Sequence, residues 1–458
     1  MNKIVTDPIL VMSSPASMRV PQREWAATPL AERLAVIART RHAIAREAER
    51  LAATIARAPA DTLGAEILPL AAAAQFLVRR APGLLGRRRL FGAPPWLFGT
   101  RQEVRREARG VVLILAPGNY PLMLPGIQIL QALTAGNAVA VKPAPGKTAP
   151  MRLLAEMLAE AGLPPGLLEI LPEAAGPDAV RAGYDYIVLT GGVPTGIAVA
   201  REAAETLTPT AMELSGVDAV FVLPGADLAL TASALAYGLR LNGGETCIAP
   251  RRVFVHQEME ADLLSRLLPL LPPPAAIAPR TQARLALLLD DAERGGARIV
   301  ARNPAILAAA SPTMALLQED VFAPWLALVP VADTAAALEA ASHCPYALGA
   351  SVFGPTSDAL RLADQIDAGS VCINDLIAPT ADPRLPFGGR KLSGYGVTRG
   401  AEGLLEMTVI KTVSTRAGRF RPHLDTRFSG DARTLLLMTQ FLHGTWDDRW
   451  TKLKSFRR

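Results

Sequence analysis

The apolar positions of this 458-residue chain change rhythm along its length. Leu30, Leu34, Ile37, Ile44, Leu51 and Ile55 fall near one helical stripe, with Arg and Glu on the other faces. That pattern predicts a long amphipathic helix packed on a larger body. Thr28-Pro29 predicts its start, with Thr as N-cap and Pro at the first helical position, where the missing N–H costs nothing. A second helix is predicted from Gly64 to Arg79. Residues 84–109 are rich in Arg, Gly and Pro and read as an exposed hairpin or arm.

From Gly110 the rhythm becomes strand, loop, helix, strand. Val111 to Ala116 is a continuous apolar block of the kind buried on both faces of a parallel sheet, and Ala138 to Val141 is another after the Gly136-Asn137 turn. Leu167 to Leu171, Tyr186 to Leu189 and Ala219 to Val222 extend this βαβ unit to a doubly wound sheet, with a dinucleotide expected at the carboxyl ends of its strands. Strands at 253–255, 298–300, 326–331 and 351–353, with helices around 258–268, 281–294 and 357–366, describe a second α/β lobe. Pro272 to Pro279 is a surface connection inside it.

Composition narrows the classes. The chain is long enough for two or three packed lobes, and 50% hydrophobic and 20% charged residues describe a globular protein. A net charge of +6 is small at this size, and no basic run is interleaved with aromatics, so nucleic acid is not indicated. Cys247, Cys344 and Cys372 have no CxxC spacing, which argues against zinc or a disulfide framework and for a reducing compartment. Neither a secretory nor a transit pattern opens the chain, and no apolar run reaches the roughly twenty residues of a membrane span. The expectation is a cytoplasmic protein without metal.

Three residues suggest chemistry. Cys247 ends the loop Asn242-Gly-Gly-Glu-Thr-Cys247, where backbone closes around a small substrate and a thiol is reachable; the alternative is a small buried apolar residue, which suits Cys344 and Cys372 better. Asn119, just after a buried strand, offers a carboxamide N–H to an oxyanion, or else serves a left-handed loop position. Glu213 ends the apolar strand Thr210-Ala-Met-Glu-Leu214, where burial raises a carboxyl group toward the range of a general base; the alternative is a strand-end pair with an Arg. Arg251 and Arg252 follow Cys247 closely and read as the lead into the next strand.

Seven blocks in order give these residues a common setting: Leu115-Ala-Pro-Gly-Asn-Tyr-Pro121, Ala135-Gly-Asn-Ala-Val-Ala-Val-Lys-Pro143, Leu189-Thr-Gly191, Met212-Glu-Leu-Ser-Gly216, Gly244-Glu-Thr-Cys247, Glu319-Asp-Val-Phe-Ala-Pro324 and Pro386-Phe-Gly-Gly-Arg-Lys-Leu-Ser-Gly394. With them the chain resembles the aldehyde dehydrogenase superfamily from about Arg23 to Thr412. The resemblance implies an α/β architecture with a doubly wound cofactor-binding domain over residues 1–215, bearing an oligomerisation arm at 90–109. A second α/β catalytic domain over 216–415 and a tail at 416–458 would complete it. It implies Cys247 as nucleophile, Glu213 as activator of water and Asn119 as oxyanion donor. NAD or NADP would be held by Leu115, Ala116, Lys142, Gly191, Gly192, Gly196, Leu214, Asp320 and Phe322. A small-molecule aldehyde is the implied substrate, and a homodimer or homotetramer the implied assembly.

The match has departures. Pro145 stands where NAD-preferring relatives often carry a Glu on the adenosine ribose, so either cofactor is open. Asp320 replaces a longer Glu, and Glu245 replaces a Gln two positions before the nucleophile, where it would raise the thiol pKa or face solvent. Gly192 and Val193 replace Ser or Thr at the phosphates, and Val397-Thr398 replaces Arg-Glu. Two rival readings are acyl transfer to coenzyme A or reduction of an activated acyl group, which Glu213 argues against, and a non-catalytic binding member of the fold. The tail, with Leu435 to Leu437, Phe441, Trp446, Trp450 and a basic finish from Lys452 to Arg458, reads as packing on a neighbouring subunit or touching an anionic surface.

Overall fold

The apolar blocks form strands, but they divide between two sheets differently from the sequence expectation. The computed structural model describes residues 14–419, 421–424 and 431–446. A six-stranded sheet runs Gly394–Tyr395, Thr210–Leu214, Tyr186–Gly191, Val111–Leu115, Ala138–Lys142, Leu168–Ile170. Its pairs are parallel except the first, in which Gly394 opposes Glu213. The helix Met123–Ala135 carries the chain from Val111–Leu115 to Ala138–Lys142 with every residue buried, as its nearly unbroken apolar sequence requires, and ends on a left-handed Gly136 at φ 97°.

A seven-stranded sheet runs Arg298–Arg302, Ala305–Ala308, Trp325–Val331, Pro250–His256, Asp218–Val222, Gly349–Phe353, Ser370–Ile373. Side chains alternate between its faces: Val220, Val222, Val253 and Val255 enter one core, and Ala219, Phe221 and Phe254 the other. The block at 219–222, expected to extend the first sheet, therefore belongs to the second. Ser215-Gly216-Val217 is too short to carry a strand back parallel beside its predecessor, which takes a dozen residues or more. Ala305–Ala308 and Ser370–Ile373 were not foreseen.

The helical region also differs. Pro15–Ala27 is a helix, and Thr28 serves its end, donating its hydroxyl to the Glu24 carbonyl at 3.0 Å, rather than capping the next one. That next helix, Leu30–Arg46, breaks at Glu47 (φ −99°, ψ 20°) and resumes as Ala48–Ala53. The predicted helix at 64–79 is longer, covering Pro59–Thr62, a π-helical turn Leu63–Ile67, and Leu68–Leu85. By length and composition alone this stretch is apolar enough to cross a membrane, a property that the core helix of a soluble protein shares. It buries Ile67, Leu70, Ala74 and Leu77 in the protein core, which accounts for that apolarity.

The described residues fall into two compact units, one from residues up to 86 and 106–411, the other from 87–105 and from 412 onwards. In the second, Arg88–Leu90 pairs antiparallel with Thr100–Ala108, the expected hairpin, and the helix Ala432–His443 follows. Trp450 and the basic finish from Lys452 lie outside the described residues.

The π-helical turn positions the site. It carries Glu66, fully buried, whose Oε2 accepts the N–H groups of Leu122 at 2.9 Å and Met123 at 2.8 Å, at the positive end of the helix Met123–Ala135. Its Oε1 pairs with Arg57 at 3.2 Å, and Arg57 also donates to the Asn119 carbonyl and lies 5.0 Å from the centre of the Tyr120 ring. The pair thus fixes the loop on which Asn119 stands. Replacing Arg57 by Met leaves the Glu66 carboxylate buried and unpaired, an expected loss of about 3 kcal/mol in urea denaturation. A fall in kcat larger than any rise in KM should accompany it. The double replacement Arg57→Met/Glu66→Leu should restore most of the stability and none of the kcat; restored kcat would mean that the pair does not position Asn119.

Candidate active site

The helix Leu228–Arg240 runs into a tight loop with three successive left-handed residues, Asn242 (φ 51°), Gly243 (φ 60°) and Gly244 (φ 77°). Gly244 is required by space as well, since a Cβ there would lie 2.6 Å from the Pro324 Cα. Asn242 accepts the strained position while its Nδ2 donates to the Asn119 carbonyl at 3.0 Å. Arg251 locks the loop from below. Its guanidinium donates to the carbonyls of Gly244 at 2.5 Å, Ala323 at 2.6 Å and Trp325 at 3.2 Å, tying the cysteine loop to the segment bearing Asp320 and Phe322. Arg252 similarly holds Val217 and Ala341. Both lie in a strand, as expected, but as buried braces, a role their spacing does not announce.

Cys247 is half-buried, whereas Cys344 and Cys372 are buried and free. Burial pushes the Cys247 thiol well up, the Glu213 and Asp218 carboxylates push it further, and Arg399 opposes them. Glu245, suspected from sequence, has its own carboxyl raised by burial, with Lys147 and Arg57 opposing that shift.

Glu213 is fully enclosed at the strand end. Thr398 donates its hydroxyl to Oε2 at 2.8 Å, and Oε1 is buried without a protein partner. Burial raises its pKa, and the Arg399 charge and the Thr398 bond oppose the rise. Thr398 reaches it because Gly394–Tyr395 pairs with the Glu213 strand, and because Phe387 and Thr398 exchange backbone bonds of 2.8 Å across the same loop. Arg399, next in sequence, donates to the Thr380 carbonyl at 2.7 Å and stacks 4.3 Å from the centre of the Phe387 ring. The sequence marked Thr398 only as part of Val397-Thr398, where the resemblance led one to look for Arg-Glu, and did not signal Arg399.

Asn119 donates Nδ2 to the Glu245 carbonyl at 2.9 Å and accepts the Tyr120 N–H at 3.0 Å through Oδ1, leaving its second amide N–H uncommitted. Tyr120 and Thr246 share a 2.7 Å hydroxyl bond, so the Asn119 and Cys247 loops are joined on both sides.

Three cavities surround these groups. One of about 320 Å³ is lined by Cys247, Glu213 and Arg399 and otherwise mostly by apolar side chains, among them Tyr120, Met123, Leu124, Leu241, Ile248, Ile377 and Phe387. A second, about 480 Å³, shares Cys247, Glu213 and Leu124 with it and adds Asn119, Gly191, Gly192, Leu214, Glu245, Asp320 and Phe322. The third, about 440 Å³, shares Thr190 and Gly191 with the second and continues over Leu115, Ala116, Lys142 and Thr195. Eight of the nine expected cofactor residues therefore line two adjoining cavities. Gly196 does not: a Cβ there would sit 2.8 Å from Leu214 Cδ1, so its bareness serves helix-to-strand packing.

These two cavities suit a dinucleotide. Gly192 precedes the helix Val193–Ala204, and no side chain caps the first turn, whose N–H groups are open to an anion. Thr190 and Thr195 supply hydroxyls where Gly192 and Val193 have none. Burial lowers the Lys142 pKa while Glu173 opposes the shift. Pro145 offers no carboxylate; nearby, Glu173 accepts the Gly146 N–H at 2.8 Å and the Thr148 hydroxyl at 2.6 Å. Burial lifts the Asp320 carboxyl to about 6, with Ser215 and Arg251 opposing it.

The aldehyde dehydrogenase family model matches residues 13–271 and 276–413. The 4,4'-diapolycopene aldehyde oxidase of Methylomonas sp is 29% identical over 98% of this chain and 95% of its own. A Mycobacterium tuberculosis protein is 30% identical over 87% of this chain and 83% of its own; its name, succinate-semialdehyde dehydrogenase [NADP(+)] 2, is a provisional one. The crystal structure of a Mycobacterium tuberculosis aldehyde dehydrogenase complexed with NAD+ superposes with a TM-score of 0.82 at 27% identity, covering 89% of this chain and 90% of that one. With motifs, fold and cavities agreeing, the chain belongs to the aldehyde dehydrogenase family.

Proposed function

We propose that this enzyme oxidises an apolar aldehyde to its carboxylic acid with NAD or NADP, through a thioester on Cys247. The observation that carries the reading is that Cys247 and Glu213 line both the apolar cavity and its glycine-edged neighbour. Substrate and cofactor thus meet at one thiol and one carboxylate. Cys247 gives up its thiol proton to solvent and its Sγ attacks the aldehyde carbon, while the free N–H of Asn119 and the Cys247 backbone N–H hold the oxygen as it becomes anionic. Leu115, Ala116, Lys142, Gly191, Gly192, Leu214, Asp320 and Phe322 would hold the dinucleotide, with Gly196 behind its helix. When bound, it supplies the hydride acceptor that lets the thiohemiacetal become a thioester. Glu213 Oε1 then takes a proton from water, which attacks the thioester and releases the acid while Thr398 steadies Oε2.

The substrate class follows from the lining. Asp61, another acidic group of that cavity, is bonded to Arg240 at 3.1 Å; Arg399 gives one nitrogen to the Thr380 carbonyl and stacks on Phe387, its Nε is buried without a partner and its charge acts on Glu213, and the rest of the lining is mostly apolar. We assign residues 1–215 to cofactor binding, 216–415 to catalysis and 90–109 to subunit contact, in a cytoplasmic homodimer or homotetramer.

A panel of aldehydes with each cofactor, read as NADH or NADPH appearance, should show aliphatic aldehydes of six to twelve carbons turning over with kcat/KM about tenfold or more above succinate semialdehyde. Inversion of that order removes the apolar assignment; silence with every aldehyde removes the dehydrogenase reading. Cys247→Ala should abolish turnover. In Glu213→Gln, one equivalent of reduced cofactor should form in a burst, followed by turnover slower by about two to four orders of magnitude, because acylation survives and hydrolysis does not. The pH profile has a defined sign. Asp320 ionises above about 6 in the folded protein, so KM for the cofactor should rise as pH falls through that value and stay flat above it. In Asp320→Asn the step should vanish.

A further inference from the structure

Arg399 holds a buried charge on strained backbone. It precedes the helix Gly400–Glu406 at φ 60° and ψ 176°, a conformation that glycine enters freely and other residues do not. Such strain persists only where the surroundings overdetermine it, and it gathers at active sites and ligand clamps. The guanidinium is fixed on two sides: Nη1 donates to the Thr380 carbonyl at 2.7 Å, and the group lies 4.3 Å from the centre of the Phe387 ring. Its other nitrogens are unspent. Nε is buried without a partner, and Nη2 makes no hydrogen bond among the described residues. The residue is only 5% exposed, so leaving those donors unpaired is costly. Arg399 shares the wall of the 320 Å³ cavity with Cys247 and Glu213, and its charge acts on both, which places it at the reacting end.

A buried cation with free donors in an otherwise apolar cavity matches an amphiphilic anion. We propose that Arg399 and this cavity form a binding site for an aliphatic monocarboxylate, the acid that the thioester releases, with Arg399 donating to the carboxylate while the chain lies against Leu124, Ile248 and Ile377. The proposal rests on the reading of the cavity as the site of an apolar aldehyde. Glu213 sets when the acid is held. Of the two protons of the attacking water, one goes to Glu213 and the other to the Cys247 sulfur as the C–S bond breaks. That leaves the acid as a carboxylate beside a neutral Glu213, with the Arg399 charge free to balance it. When Glu213 ionises again, two carboxylates compete for one guanidinium, and the product is driven out. Thr398 bonds Glu213, and Asp218 and Asp320 add their charges to that of Glu213 at Cys247, so this end of the cavity already leans negative. Release is thereby tied to the proton that hydrolysis placed on Glu213.

The test reads binding, not turnover. Octanoate and, as its neutral counterpart, octanol are titrated into the full-length protein by calorimetry at a series of pH values. Where Glu213 is protonated, octanoate should bind about tenfold or more tightly than octanol, and the advantage should fall by a similar factor as pH rises and Glu213 ionises. Burial places that ionisation above the ordinary carboxylate range. Glu213→Gln, fixed in the neutral state, should bind octanoate tightly at every pH. Arg399→Gly, which the backbone accepts without strain, should lose about tenfold or more of the octanoate affinity and bind octanol as the wild type does; Arg399→Lys, with the charge but not the fork, should fall between. Octanol binding reports an intact cavity in each variant. Octanoate binding no tighter than octanol, an undiminished octanoate affinity in Arg399→Gly, or a wild-type pH dependence in Glu213→Gln overturns the proposal. Failure of octanol to bind the wild type removes the apolar reading of the cavity and this proposal with it, whereas the outcomes before it strike the carboxylate site alone.

Discussion

A thiol and a carboxylate share one enclosed junction, and the carboxylate makes the thiol harder to ionise. Burial is the largest cause of the upward shift of both Cys247 and Glu213, and the Glu213 charge adds to that of the thiol. The two groups are needed as bases at different moments, the sulfur to attack and the carboxylate to draw a proton from water. A site that kept both charged at once would carry two like charges at low dielectric, which costs several kcal/mol. The arrangement instead supplies one opposing cation, Arg399, that faces both. Thr398 restrains one carboxylate oxygen and leaves the other uncommitted. Catalysis then depends on where the single negative charge sits, and the surroundings are built to let it move.

The loops around that junction are held mainly by arginines bonded to backbone carbonyls. Arg57 holds the Asn119 carbonyl, Arg251 those of Gly244, Ala323 and Trp325, Arg252 those of Val217 and Ala341, and Arg399 that of Thr380. A guanidinium has five donors in a rigid fork, so one side chain fixes two or three chain segments at once. This explains how a left-handed stretch such as Asn242 to Gly244 is kept in place. Backbone strain of about 1 to 3 kcal/mol persists only where the surroundings overdetermine it. Arg251 and Asn242 do so from two sides.

The same facts show what was legible in the sequence. Strand blocks such as Val111 to Leu115 are apolar at every position because both faces are covered, so composition alone reveals them. The Gly-Gly run before Cys247 reads correctly because left-handed backbone demands glycine. The assignment of 219–222 to a sheet was not legible, since a β-strand's sequence records its burial and not its neighbours. Only the three-residue link after Leu214, too short for a crossover, held that information. Glu66 was hidden for a similar reason: a carboxylate in a helical stretch reads as a solvated face until the helix it caps, from a different part of the chain, is placed beside it. Arg399 was passed over because its value lies in contacts with Thr380 and Phe387, which sequence spacing does not encode.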